Sequence, residues 1–143
     1  MMGAVSDPVP DDASANLGAG RRVLVLDDNP LILEMAASQI QDAGFEVRTA
    51  TTLAEFHVAT TTWRPEIVLT DIRMPEMSGH DLCRTLKSAH STAAIPVVLF
   101  SALPEDELAR LAQECSADGY LRKRDGLEGL AATLHELCES ILW

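Results

Sequence analysis

Val23-Leu24-Val25-Leu26-Asp27-Asp28-Asn29-Pro30 is the stretch that decides the fold. Four apolar residues in a row show no alternation. A strand reads this way when both of its faces are covered, as in a parallel sheet. Asn29 suits a helix N-cap, and Pro30 suits the first helical position, where a missing N–H costs nothing. Gly44 then stands where a C′ glycine commonly ends a helix. One strand and one helix therefore follow each other directly, with two acids at the junction.

The same alternation runs outward from this unit. Phe45-Glu46-Val47-Arg48-Thr49 alternates and predicts an edge strand. Thr52-Leu53-Ala54-Glu55 has the capping-box spacing of a second helix. Glu66-Ile67-Val68-Leu69-Thr70 predicts the third strand. Residues 78–89 predict the third helix, with Leu82 and Leu86 on one face. Pro96-Val97-Val98-Leu99-Phe100 predicts the fourth strand, residues 104–115 an acid-started helix, and residues 118–123 a short fifth strand. A last helix is expected from Asp125, with Leu127, Leu130, Ala131, Leu134, Leu137, Cys138 and Ile141 at helical spacing. Five βα units predict an α/β fold: a five-stranded parallel sheet with helices on both faces. Residues 1–20 are rich in Ala, Gly, Pro, Ser and Asp without periodicity and read as a disordered leader to a domain spanning 21–143. With Trp143 one helix past the last strand, no output domain is expected within this sequence.

The chain's 143 residues suit one domain, and a hydrophobic fraction of 47% suits a real core. Its net charge of −11 makes direct nucleic-acid binding a poor expectation, because phosphate contacts need clustered Lys and Arg. A divalent cation or a basic protein patch fits better. Cys83, Cys115 and Cys138 are scattered and read as small apolar packers. His57, His80, His90 and His135 lack metal-ligand spacing and read as solvated helix positions. No apolar run approaches the roughly 20 residues of a membrane span, and no signal pattern opens the chain. The expectation is a cytoplasmic protein with no membrane insertion.

The chemistry gathers at strand ends. Asp27-Asp28 end the first run, Asp71 the third, Ser101 the fourth and Lys123 the fifth. In an open α/β sheet these ends meet at one edge, where ligands bind. A carboxylate is a competent nucleophile toward phosphorus and yields an acyl phosphate. Neighbouring carboxylates can hold magnesium through oxygen, a lysine can neutralise a phosphoryl oxygen, and a hydroxyl can donate to another. Taken alone, Asp27-Asp28-Asn29-Pro30 is equally a helix cap, and Asp71 alone a turn residue. Their combination at successive strand ends favours a site.

Four segments carry a family resemblance: Val23-Leu24-Val25-Leu26-Asp27-Asp28-Asn29, Leu69-Thr70-Asp71-Ile72-Arg73-Met74-Pro75-Glu76-Met77-Ser78-Gly79, Phe100-Ser101-Ala102, and Asp118-Gly119-Tyr120-Leu121-Arg122-Lys123. In this order and spacing the chain resembles the receiver domain of two-component response regulators, in particular a single-domain, chemotaxis-regulator-like one. The resemblance implies a flavodoxin-like (βα)5 fold with strand order 2-1-3-4-5. It implies Asp71 as phosphoacceptor, Mg2+ held by Asp28 directly, by Asp27 mostly through water, by Asp71, and by the backbone carbonyl of Arg73. Ser101 takes the hydroxyl switch position, Tyr120 the aromatic switch position, and Lys123 the family's lysine position. The implied partners are a histidine kinase or phosphotransfer protein and an effector that reads the face around Tyr120. The implied chemistry is confined to the chain's own phosphorylation and dephosphorylation. One departure stands out: the family usually has proline after the lysine, and here Arg124 follows. A non-proline cis bond costs about 2.5–4 kcal/mol, so this loop is either trans or strained, with Arg122 and Arg124 as alternative cations.

Two other functions compete. One is a scaffold that binds partners without phosphorylation, and a receiver fragment of a larger regulator is a variant of the switch. Another is a phosphatase with an aspartate nucleophile. The haloacid-dehalogenase type needs a second Asp two places after the first, and Arg73 stands there.

Overall fold

The computed structural model describes residues 20–74, 76–123, 130–137 and 139. Strand β1 (Arg22–Leu26) leads to helix α1 (Pro30–Asp42), β2 (Glu46–Ala50), α2 (Leu53–Thr62), β3 (Ile67–Thr70), α3 (Gly79–Ser88), β4 (Val97–Ser101), α4 (Glu105–Cys115), β5 (Gly119–Arg122) and α5 (Leu130–Leu137). The strands form one parallel sheet in the order β2-β1-β3-β4-β5. The expected parallel sheet, its order and its helices are all present. Residues 1–19 of the expected leader, the start of the last helix at Asp125, and Leu127, Cys138 and Ile141 lie outside the described residues.

Local chemistry sets the helix ends. Asn29 Oδ1 accepts from the N–H groups of Leu31 and Ile32, with Pro30 at the first helical position. At the other end Gly44 adopts φ +97°, donates to Gln41 O, and lets Phe45 N reach Ile40 O. Those two bonds define a Schellman stop, and a left-handed C′ residue favours glycine there. Thr52 Oγ1 accepts from Glu55 N, as the capping spacing predicts. Glu55 reaches back to Thr51 N, one residue before the cap, and not to the cap itself. Ser78 Oγ accepts from Asp81 N and starts α3. Helix α4 has no side-chain cap, but Glu105, Asp106 and Glu107 fill its first turn, where negative charge meets the helix dipole.

Each sheet face carries its own core. Val23, Val25, Ile67, Leu69 and Val98 meet α1 and α5 on one face. Leu24, Leu26, Val68, Val97 and Leu99 meet α2, α3 and α4 on the other. The unalternating run in β1 is thus covered on both sides. β2 lies at the sheet edge, and its residues 46, 48 and 49 are exposed. It runs one residue later than the expected 45–49, because Phe45 turns into the core as the C″ residue of α1. Cys83 and Cys115 are buried between α3 and α4, and burial pushes the Cys83 thiol pKa well up, as expected of packers. His57 and His90 are exposed as expected, whereas His80 is half-buried and its Nδ1 finds no hydrogen-bond partner among the described residues.

The loop after β3 is folded hard against its own start. Gly79 N donates to Ile72 O at 2.8 Å, and a Cβ at Gly79 would stand 1.9 Å from the Asp71 carbonyl oxygen. No rotamer change relieves a clash with backbone. Gly79→Ala is therefore expected to destabilise by about 3 kcal/mol, lowering Tm by roughly 5–12 °C. Thermal unfolding followed by circular dichroism checks this. An unchanged Tm would mean that the loop relaxes freely.

Candidate functional site

The parallel strands deliver their last residues to one edge. Leu26, Thr70, Ser101 and Arg122 end β1, β3, β4 and β5, and Asp27, Asp71 and Lys123 follow directly after the first, second and fourth of these. Hydrogen bonds knit the junctions: Asp27 N donates to Ala50 O and Asp71 N to Leu26 O. The expectation of a cluster at this edge holds for the three aspartates. One carboxylate oxygen from each of Asp27, Asp28 and Asp71 lies within 4.8 Å of the others.

Burial distinguishes these three acids. Asp27 is fully buried and Asp71 nearly so at 6% exposure, while Asp28 is exposed. Asp27 Oδ1 accepts from Asn29 N at 2.9 Å. Asp71 Oδ1 accepts from Ile72 N at 2.8 Å. Lys123 Nζ lies between them, 2.7 Å from Asp27 Oδ2 and 3.5 Å from Asp71 Oδ2, with its charge 5.4 Å from the centre of the Phe100 ring. The short Lys123–Asp27 contact is misaligned for a hydrogen bond, so Asp27 Oδ2 has charge compensation but no hydrogen-bond donor among the described residues. Desolvation raises the Asp71 pKa above the ordinary carboxylate value. Lys123 opposes that shift and the Asp27 charge adds to it.

This arrangement fits a small hard cation. A magnesium shell at about 2.1 Å allows ligand oxygens no more than about 4.2 Å apart, close to the span of the three carboxylates. Asp27 Oδ2 is a buried oxygen with no hydrogen-bond donor among the described residues, and Asp28 faces solvent, from which a hydrated ion would enter. Asp27, Asp28 and Asp71 are the residues able to hold it. The sequence-based expectation also named the Arg73 carbonyl; Arg73 is exposed in the loop two residues after Asp71.

The remaining expected residues sit around this cluster. Ser101 is buried at the end of β4, where its Oγ accepts from Leu103 N at 3.2 Å. Tyr120 on β5 is half-buried, and its hydroxyl donates to Glu105 Oε2 at 3.3 Å. Partial burial and the Glu105 carboxylate push its pKa up. Arg122 lies 3.9 Å from the same Glu105 rather than at the carboxylates, and Arg124 lies outside the described residues, as does its bond to Lys123. Lys123 itself is the cation that reaches the acids.

Sequence reasoning passed over several supports. Thr70 is fully buried and donates to the Asp71 carbonyl at 3.0 Å. Gly79 packs on that same carbonyl region. Glu76 Oε1 accepts from Leu53 N, tying the loop after β3 to the start of α2. A polar Thr closing an otherwise apolar strand was the available signal for the first of these. The others depend on contacts across 23 residues or on backbone approach.

Asp71 ionises less readily in the fold than in the open chain, so its charge destabilises the fold at neutral pH. Asp71→Asn in EDTA is expected to stabilise the protein by about 1–2 kcal/mol, raising Tm by roughly 2–6 °C. A drop in Tm would show that the Asp71–Lys123 contact outweighs desolvation.

Known proteins share this chain's pattern. The model of the response regulator receiver domain matches residues 23–135. The gliding motility regulatory protein of Myxococcus xanthus is 34% identical over 117 residues, which is 81% of this chain and 15% of that protein. The phosphate regulon transcriptional regulatory protein PhoB of Pseudomonas aeruginosa is 31% identical over 115 residues, 80% of this chain and 50% of that protein. This chain thus spans half or less of the length of these curated relatives. The solved structure of the chemotaxis response regulator CheY4 of Vibrio cholerae aligns with a TM-score of 0.75 at 26% identity, covering 82% of this chain and 98% of that one. The chain belongs to the response regulator receiver domain family.

Proposed function

We propose that this protein is a phosphorylation switch whose acceptor is Asp71. The observation that carries the reading is the Lys123 ammonium held between Asp27 and Asp71 beside an exposed Asp28. Receiver domains work with histidine kinases or phosphotransfer proteins as signalling modules, and we assign the donor here to that class. The donor's P–N bond breaks as an Asp71 carboxylate oxygen bonds to phosphorus, giving an acyl phosphate and returning the histidine. Water later cleaves the acyl phosphate, so the chemistry is confined to the chain itself.

Each residue has a separate task. Ile72 N holds Asp71 Oδ1, which fixes the carboxylate and leaves Oδ2 to react. Asp27, Asp28, Asp71 and the Arg73 carbonyl would hold magnesium, which when bound would supply positive charge for the phosphoryl oxygens. Lys123 supplies more, as a point charge already within reach. Ser101 accepts from Leu103 N, so its own proton remains available to donate to a phosphoryl oxygen. Tyr120 reports the change: its bond to Glu105 joins β5 to the start of α4, and a shift of Ser101 alters the face made by α4, β5 and α5. An effector protein reads that face. We assign residues 21–143 to the receiver domain and 1–20 to a leader, and propose a cytoplasmic location without membrane insertion or direct nucleic-acid contact. Among the described residues no helix is long and apolar enough to cross a membrane, and the charge of −11 disfavours nucleic acid.

Two experiments test this. Incubation with acetyl phosphate and magnesium should add one phosphoryl mass, visible by intact mass spectrometry, and Asp71→Asn or EDTA should abolish the gain. Labelling that persists in either case sinks the assignment. Ser101→Ala should still be labelled, more slowly, yet lose most of the amide shift changes over residues 102–123 that beryllofluoride with magnesium induces in the wild type. If the wild-type face does not respond, a scaffold that works without phosphorylation replaces the switch.

A further inference from the structure

The outer edge of β2 has the chemistry of a self-complementary interface. Its inner side is spoken for: Glu46 N donates to Arg21 O, and Ala50 O accepts from Asp27 N. Backbone groups of a strand alternate in direction, so Val47 and Thr49 turn their N–H and C=O groups outward. No strand pairs that side among the described residues. An open groove lies on each side of the strand, and the two share Thr49. Arg48, Glu55 and Val58 line the one beside α2, and Glu34, Ser38 and Gln41 the one beside α1.

Charge selects the occupant. Edge strands are commonly blunted by charge, which repels a second strand. Here the two exposed charges have opposite signs and flank Val47 symmetrically: Glu46 before it and Arg48 after it. Glu46 has no ion-pair partner among the described residues, and Arg48 rests only over the Trp63 ring, at 5.2 Å. An antiparallel second β2 whose two-fold axis passes through Val47 would exchange two N–H···O bonds between the Val47 residues. It would set Glu46 opposite Arg48 twice, both at non-hydrogen-bonded positions, where facing Cα atoms come within about 4.5 Å. Moving the axis to residue 46 or 48 sets like charges directly opposite. Outward backbone direction forbids the half-steps between. The same axis puts α2 beside its copy, where Val58, 61% exposed, gains cover.

We propose that β2 is a docking edge for a second copy of this chain, giving a two-fold dimer with a continuous sheet centred on Val47. The partner is identified by register: an antiparallel second copy of Glu46-Val47-Arg48 satisfies both charges and the outward backbone groups of Val47.

Sedimentation equilibrium of the full chain up to about millimolar concentration tests it. Salt near 150 mM screens the long-range repulsion of a −11 protein without erasing close pairs. The wild type should show a monomer–dimer equilibrium. Glu46→Arg alone and Arg48→Glu alone each turn two attractive pairs into two repulsive ones, and should weaken association by roughly thirtyfold. The double variant Glu46→Arg/Arg48→Glu restores complementarity and should recover it. Mixing the two single variants should give a heterodimer. Circular dichroism confirms folding in each case. A wild type that stays monomeric overturns the proposal. So does a dimer indifferent to the single reversals, or a double variant that fails to recover.

Discussion

Lys123 bridges two buried carboxylates, and much of the site's geometry depends on that one ammonium. A buried charge without a partner is strongly destabilising. Asp27 is fully buried and has one hydrogen-bonded oxygen; its other oxygen is compensated by Lys123 at 2.7 Å. The bridge therefore ties the end of β5 to the end of β1, which lie on either side of β3 and β4 in the sheet. It also leaves Asp71 only partly compensated, at 3.5 Å, with a raised pKa. Among the described residues one cation thus serves two buried anions: it ties β1 to β5 and leaves Asp71 short of positive charge.

Around that shortage, backbone contacts hold Asp71 in place. Thr70 bonds the Asp71 carbonyl from one direction and Gly79 crowds it from another. Ile72 N fixes one carboxylate oxygen. Glu76 then fastens the loop after β3 to α2. A carboxylate that lacks full charge compensation would otherwise swing toward solvent. The backbone contacts keep it inside, where electrostatic interactions are strong because water is sparse.

Much of this was legible in the sequence because the deciding signals are local. An unbroken apolar run, an Asn-Pro start and a C′ glycine specify β1 and α1 within about two dozen residues, and the Schellman bonds at Gly44 follow from them. The parallel order brings the strand ends to one edge, and with it Asp27, Asp28 and Asp71. What escaped was set by long-range contacts. Sequence cannot distinguish a buried Asp27 from an exposed Asp28, because the difference lies in which neighbour turns inward against Lys123, 96 positions away by subtraction of their numbers. The strand starts shifted by one residue wherever a flanking residue had a better use, as Phe45 has in the core. Glu105 at the start of α4 gave no sign that it would accept from Tyr120.

The two ends of β2 belong to different problems. Its last residue, Ala50, accepts from Asp27 N and so touches the charged site. Its first half presents Glu46 and Arg48 to solvent on either side of a half-buried Val47. Backbone pairing holds β2 in register against β1 from Glu46 to Ala50. The electrostatics at the two places also differ in kind. Exposed pairs at the edge contribute weakly and are screened by salt. The buried Lys123 bridge is shielded from that screening. Changing salt should thus move the edge and spare the site, which makes the two separable although one short strand joins them.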